Sequence, residues 1–151
     1  MSIKGPRGVE LLQGEQITLK AAGAVTASAN GTAVVVSGER VSYEFMLKIT
    51  ASATDAGDTL DVFIDVLGPD GATWINAVHF AQQAGNGSAV TYIAMLTASS
   101  TETAPVNVTS DAAAGATRPY VFGSQIRGRW AVVDSGDGNT SHTFSLIGYA
   151  V

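Results

Sequence analysis

The chain has no cysteine among its 151 residues. Disulfide frameworks, thiolate metal sites and cysteine nucleophiles are therefore excluded, and thiol chemistry gives no clue to the compartment. Charge is scarce as well: Asp, Glu, Lys and Arg make up 14% of the sequence, against the usual quarter. Eight residues are Lys or Arg and thirteen are Asp or Glu, for a formal net charge of −5. Phosphate binding needs clustered Lys and Arg, so no nucleic-acid partner is expected. No run approaches the ~20 apolar residues of a membrane-spanning helix, so no membrane partner is expected either. Residues 1–8 lack the apolar core of a secretory signal. A catalytic zinc usually takes three protein ligands, and here both histidines, His79 and His142, would have to converge with a carboxylate. There is no G-x-S-x-G elbow, P-loop or dinucleotide fingerprint.

What is present is apolar alternation. Hydrophobic residues are 46% of the chain, enough for a substantial core at this length. The organising stretch is residues 40–82. Val41, Tyr43, Phe45, Leu47 and Ile49 alternate with polar residues, and Met46 is the one apolar residue out of phase. Leu60, Val62, Ile64 and Val66 alternate with Asp61, Phe63, Asp65 and Leu67. A period of two places each set on one face of an extended strand. Gly68-Pro69-Asp70-Gly71 then reads as a tight turn, with Pro69 presetting φ and Gly71 supplying a positive φ. Further on, Tyr92 and Leu96 fall on one face of a strand and Ile93 and Met95 on the other. Turn signals recur about every 10 residues and no helical period is found. The expected fold is all-β: an antiparallel, jelly-roll-like β-sandwich of about 8–10 strands. Phe45, Leu47, Val62, Ile64, Trp130 and Phe144 are expected in its core. Residues 1–14 read as an N-terminal arm kept irregular by Gly5, Pro6 and Gly8. Residues 15–151 read as one domain with a long excursion at 97–119, where Val106 and Val108 offer a short edge strand.

Candidate chemistry is thin. Asp134, Asp137 and Asn139 form one weak oxygen cluster and Asp55, Asp58 and Asp61 another. Neither follows the twelve-residue calcium-loop pattern ending in Glu, and Asp is common in turns for its own reasons. No metal, no cofactor and no catalytic residue is expected. Glu44, Asp61 and Asp65 sit at outward positions of strands and read as a solvated face. The glycosylation pattern N-x-[ST] occurs at Asn30, Asn86, Asn107 and Asn139, as a Ser/Thr/Asn-rich composition produces. The sparse charge has two readings: part of the surface is covered by neighbours, or Ser, Thr, Asn and Gly replace charge as the solvating groups. The residues expected to bind a partner are Ile3, Lys4, Arg7, Val9, Leu11 and Leu12 in the arm, together with Arg127 and Arg129. This last pair flanks Gly128 beside Trp130 and has two readings, an interface hot spot or a simple exposed pair.

The runs DTLDVFIDVLGPDGATW, FAQQ and IRGRWAVVDSGDGNTSHTFSLIGYAV together resemble a loose family of tailed-bacteriophage virion proteins. The shared features are a T-L-D-V strand (Thr59 to Val62), a PDG…W hairpin (Pro69 to Trp74), a Phe-x-Gln strand (Phe80 to Gln82), an R-x-x-W strand (Arg127 to Trp130) and a terminal T-F-S (Thr143 to Ser145). The N-terminal third and the 97–119 excursion fall outside the pattern. The resemblance implies a non-enzymatic structural protein on the surface of a phage particle, most readily a capsid decoration or cement protein. It would bind the major capsid protein or other virion subunits as a homo-oligomer, with a trimer favoured. A tail or neck protein is the nearest alternative. A carbohydrate-binding sandwich using Trp74, Tyr92, Tyr120 or Trp130 as stacking platforms is the alternative of another class.

Overall fold

Every described element of the chain is a strand. The structure, a computed structural model, describes residues 2–4, 10–12, 15–36, 42–97, 105–118 and 123–150. In chain order the strands are β1 (Ser2–Lys4), β2 (Glu10–Leu12), β3 (Glu15–Val25), β4 (Ala29–Asn30), β5 (Val34–Val35), β6 (Ser42–Ala51), β7 (Thr59–Leu67), β8 (Trp74–His79), β9 (Gln83–Ala84), β10 (Val90–Thr97), β11 (Ala116–Thr117), β12 (Gln125–Val133) and β13 (His142–Ala150). The excess over the expected eight to ten comes from two- and three-residue pieces. Of the long strands, alternation marked β6, β7 and β10.

They form two antiparallel sheets. One has the order β10-β6-β13-β3. The other has the order β11-β8-β7-β12-β4, with β5 also pairing β12 and β9 also pairing β7. The chain changes sheet at almost every connection: β3, then β4 and β5, then β6, then β7 and β8, then β10, then β12, then β13. That alternation of layers is the jelly roll, and it lets each long strand put one face against the opposite sheet. Phe45, Leu47, Val62, Ile64, Ile126, Phe144 and Leu146 are all buried between the layers.

The β7–β8 hairpin turns as its sequence prescribes. Gly71 has φ 69°, and its N–H donates to the Gly68 carbonyl at 3.0 Å. Asp70 Oδ1 accepts from the Ala72 and Thr73 amides at 3.0 and 2.9 Å, and Oδ2 accepts from the Thr73 hydroxyl at 2.5 Å. These three donors stabilise the ionised form, so the Asp70 carboxyl is pulled down to about 2.

Three local expectations need correction. Trp130 lies at the margin of the core, only partly buried. Its ring meets Phe144 edge-on at 5.7 Å while Nε1 donates to the Ala27 carbonyl at 3.2 Å. An indole N–H needs an acceptor, and the two-residue strand β4 leaves that edge of the sheet open enough to supply one. Val106 and Val108 form no strand; the edge strand of the excursion is β11, which pairs Ala116 with His79 and Thr117 with Val78. In the arm, β1 and β2 pair with each other, Ser2 opposite Leu12 and Lys4 opposite Glu10, so the segment is not wholly irregular. Gly5, Pro6 and Gly8 belong to the connection between them, which lies outside the described residues, as do Arg7, Val9, Val41 and Tyr120.

Candidate functional site

Each sheet has an outer face, and the two are built differently. On the seven-stranded sheet, β7 points Asp61, Phe63, Asp65 and Leu67 outward. They are not solvated as their alternation implied: Phe63 is 4% exposed and Asp65 3%. The cover is made by side chains of β8 and β12, with His79 and Arg129 against Phe63, and the chain's own residues 110–118 are tied to those side chains by polar bonds. Asn76 Oδ1 accepts from the Ala112 amide at 2.8 Å, and its Nδ2 donates to Asp65 Oδ1 at 3.3 Å. Arg118 Nη1 donates to the Ser110 and Asn76 carbonyls at 2.9 and 3.2 Å.

Arg127 and Arg129 point outward from β12 but find partners inside the chain. Arg129 Nε donates to Asp65 Oδ2 at 2.8 Å and Nη2 to Asp111 Oδ1 at 2.6 Å. Arg127 Nη2 lies 3.5 Å from Asp65 Oδ2. Each guanidinium also covers an aromatic ring, Arg127 over Trp74 at 4.3 Å and Arg129 over Phe63 at 3.9 Å. Burial alone would lower the Arg129 pKa; hydrogen bonds and charge from Asp65, then Asp111, outweigh it and raise it.

His79 and Asp61 make the contact that a hydrolytic relay begins with, Nε2 to Oδ1 at 2.9 Å. The other ring nitrogen lies 2.8 Å from the Ala112 carbonyl, where a nucleophile would have to stand. The pair therefore braces the excursion. The described aromatic residues named as sugar platforms, Trp74, Tyr92 and Trp130, are also engaged. Trp74 lies under Arg127, Trp130 lies against Phe144, and Tyr92 tilts against Phe80 with centroids 6.4 Å apart.

The four-stranded sheet is the reverse case. Its outer face carries a cross-strand row of Ile93, Met46 and Ile147, with Met46 opposite Ile93 on β10 and Ile147 on β13. The next row is Met95, Glu44, Tyr149 and Gln16. Neighbouring strands lie about 4.8 Å apart, so these side chains touch and form one patch. Ile93 is 52% exposed, Met95 53%, Tyr149 47% and Met46 36%. Gln16, Glu44, Met46, Ile147, Gly148 and Tyr149 line a shallow depression of about 310 Å³ in it. The sequence carried the signal for this patch: Met46 breaks the phase of β6, and Ile93 and Met95 occupy the second face of β10. No site was assigned to them because an isolated exposed apolar residue needs no explanation; only the register shows that they are adjacent.

At one end of the sandwich the fold regroups the acidic residues. Asp55 and Asp58 are joined by Asp137, while Asp61 is drawn away to His79 on the outer face. Asp134 Oδ1 instead caps its own loop, accepting from the Gly136 amide at 2.7 Å. A hydrogen bond to Asp137, then its charge, raises the Asp55 pKa. Of the arm, only the backbone of Ile3, Lys4, Leu11 and Leu12 is described, on β1 and β2. No protein-family model matches the chain, and no curated protein matches it.

Proposed function

We propose that this jelly roll is a non-enzymatic structural component of a tailed-phage particle, a decoration protein on the outside of the shell. The observation that carries the reading is the apolar outer face of the four-stranded sheet, exposed among the described residues. An apolar row crossing three strands, in a chain with 14% charged residues, is what a subunit that packs against neighbouring subunits requires. The partners are other virion subunits, including further copies of this chain. Binding only to the assembled shell would stabilise it by mass action. The arm, with Ile3, Lys4, Arg7, Val9, Leu11 and Leu12, is the second proposed contact, its basic residues suited to an acidic neighbour.

Cryo-electron microscopy of the source particle is the direct test. The reading expects jelly-roll density outside the shell with the β10-β6-β13-β3 face turned toward a neighbour. A particle that lacks the protein would end it. Deleting residues 1–8 should leave the melting temperature nearly unchanged while weakening attachment.

A further inference from the structure

Two loops meet at one end of the sandwich: residues 52–58 between β6 and β7, and residues 134–141 between β12 and β13. Asp55, Asp58 and Asp137 each bring a carboxylate oxygen within 4.8 Å of the other two. Carboxylate oxygens gathered that closely can share one divalent cation: calcium takes oxygen ligands at about 2.4 Å in flexible geometry, whereas magnesium, at about 2.1 Å, demands a tighter and octahedral set.

Acidic residues gather in turns for ordinary reasons. Two buried groups distinguish this cluster. Asp58 is 0% exposed; its Oδ1 accepts from the Ser135 amide at 2.7 Å, while Oδ2, with the Ser135 and Thr140 hydroxyls close to the carboxylate, completes no hydrogen bond of ordinary geometry. Thr140 is 5% exposed and faces the Asp58 carboxylate, yet its hydroxyl completes no hydrogen bond of ordinary geometry. A buried oxygen without a partner is costly, and native structures rarely leave one without a purpose. Here two stand beside a carboxylate cluster, and both are hard oxygen donors.

The neighbourhood offers no cation of its own. Among the described residues, the ion pairs of Lys, Arg and His involve only Asp61, Asp65 and Asp111. His142 lies near Asp58, but its Nδ1 accepts from the Ala53 amide at 3.3 Å, the arrangement of a neutral imidazole. The backbone holds the acids in place. The Asp58 amide donates to the Asp55 carbonyl at 3.0 Å, and the Gly85 amide donates to the Asp58 carbonyl at 2.7 Å. Gly85 is held so close that a Cβ there would fall 1.7 Å from the Asp55 carbonyl oxygen.

We propose that Asp55, Asp58, Asp137 and Thr140 bind one calcium ion, which ties the β6–β7 loop to the β12–β13 loop. With few protein ligands, and Asp137 exposed, the affinity belongs to the weak extracellular class, on the order of 0.1–1 mM.

The test is calorimetric titration of the full chain with calcium chloride, paired with melting curves in EDTA, calcium and magnesium at matched ionic strength. One ion per chain is expected, with a melting temperature about 3 °C or more higher in about 10 mM calcium than in EDTA. Magnesium should give a clearly smaller shift. Asp137→Asn, at an exposed position, should fold and lose both heat and shift; Asp55→Asn is the second variant. Thr140→Val should weaken binding while Asp137→Asn abolishes it. Equal melting temperatures in calcium and EDTA would overturn the site. So would equal shifts with both metals, or an Asp137→Asn variant with the wild-type calcium response.

Discussion

The two outer faces of this sandwich are made by the same strand alternation and have opposite fates. On the seven-stranded sheet the outward residues of β7 are covered by side chains of β8 and β12 to which residues 110–118 are bonded, and most of the polar groups there are paired within the chain. Asp65 is shared by Arg127, Arg129 and Asn76, and His79 bridges Asp61 and Ala112. On the four-stranded sheet nothing among the described residues lies over Ile93, Met46 and Ile147, and their apolar surface faces outward. Charge on a strand is thus no sign of a free surface, and apolar character is no sign of the core. What separates the faces is which of them the chain itself returns to cover.

Removing Asp65 should break the contrast most severely. Asp65→Ala leaves two partly buried guanidinium groups without their shared carboxylate. That should cost about 3–5 kcal/mol and lower the melting temperature by roughly 10 °C. Chemical denaturation measures it, and a loss below about 1 kcal/mol would show that the covered face contributes little. Trp130→Ala comes next. A core aromatic costs about 3–5 kcal/mol, and this one sits at the margin, so about 2–3 kcal/mol is expected. Met46→Ser, on the open face, should change stability by no more than about 0.5 kcal/mol.

The smallest effect concerns pH at the β7–β8 turn. Asp70 has a folded pKa of about 2, below the ordinary aspartate value of 3.8. A depressed carboxyl contributes stability above its unfolded pKa and loses it as pH falls through the folded value. Wild type should therefore exceed Asp70→Asn in melting temperature at pH 6, and the gap should close between about pH 4 and pH 2. A gap that stays constant across that window would mean that the turn's stability does not depend on this charge.

The sandwich was legible because period-two alternation is a direct property of a half-buried strand, and the long strands β6, β7, β10, β12 and β13 all carry it. The GPDG turn was legible for the same local reason. The site was not, because it depends on register and on long-range cover. Asp61 and Asp65 alternate like solvated residues, and only the fold brings His79 and Gln82 to the one and Asn76, Arg127 and Arg129 to the other. Asp137 lies about 80 positions from Asp55 and Asp58, so spacing assigned it to a different cluster, with Asp134 and Asn139. Met46 was visible as an anomaly of phase, but its meaning appeared only when Ile93 and Ile147 fell beside it in register.

The central claim is that the open face is an attachment surface and not a stabilising one. It is tested by adding back the double variant Met46→Glu/Ile93→Glu to particles stripped of the native protein, with binding and melting temperature measured on the same sample. The variant should melt within about 2 °C of wild type and bind at least about tenfold more weakly. Binding equal to wild type by a folded double variant would contradict the account.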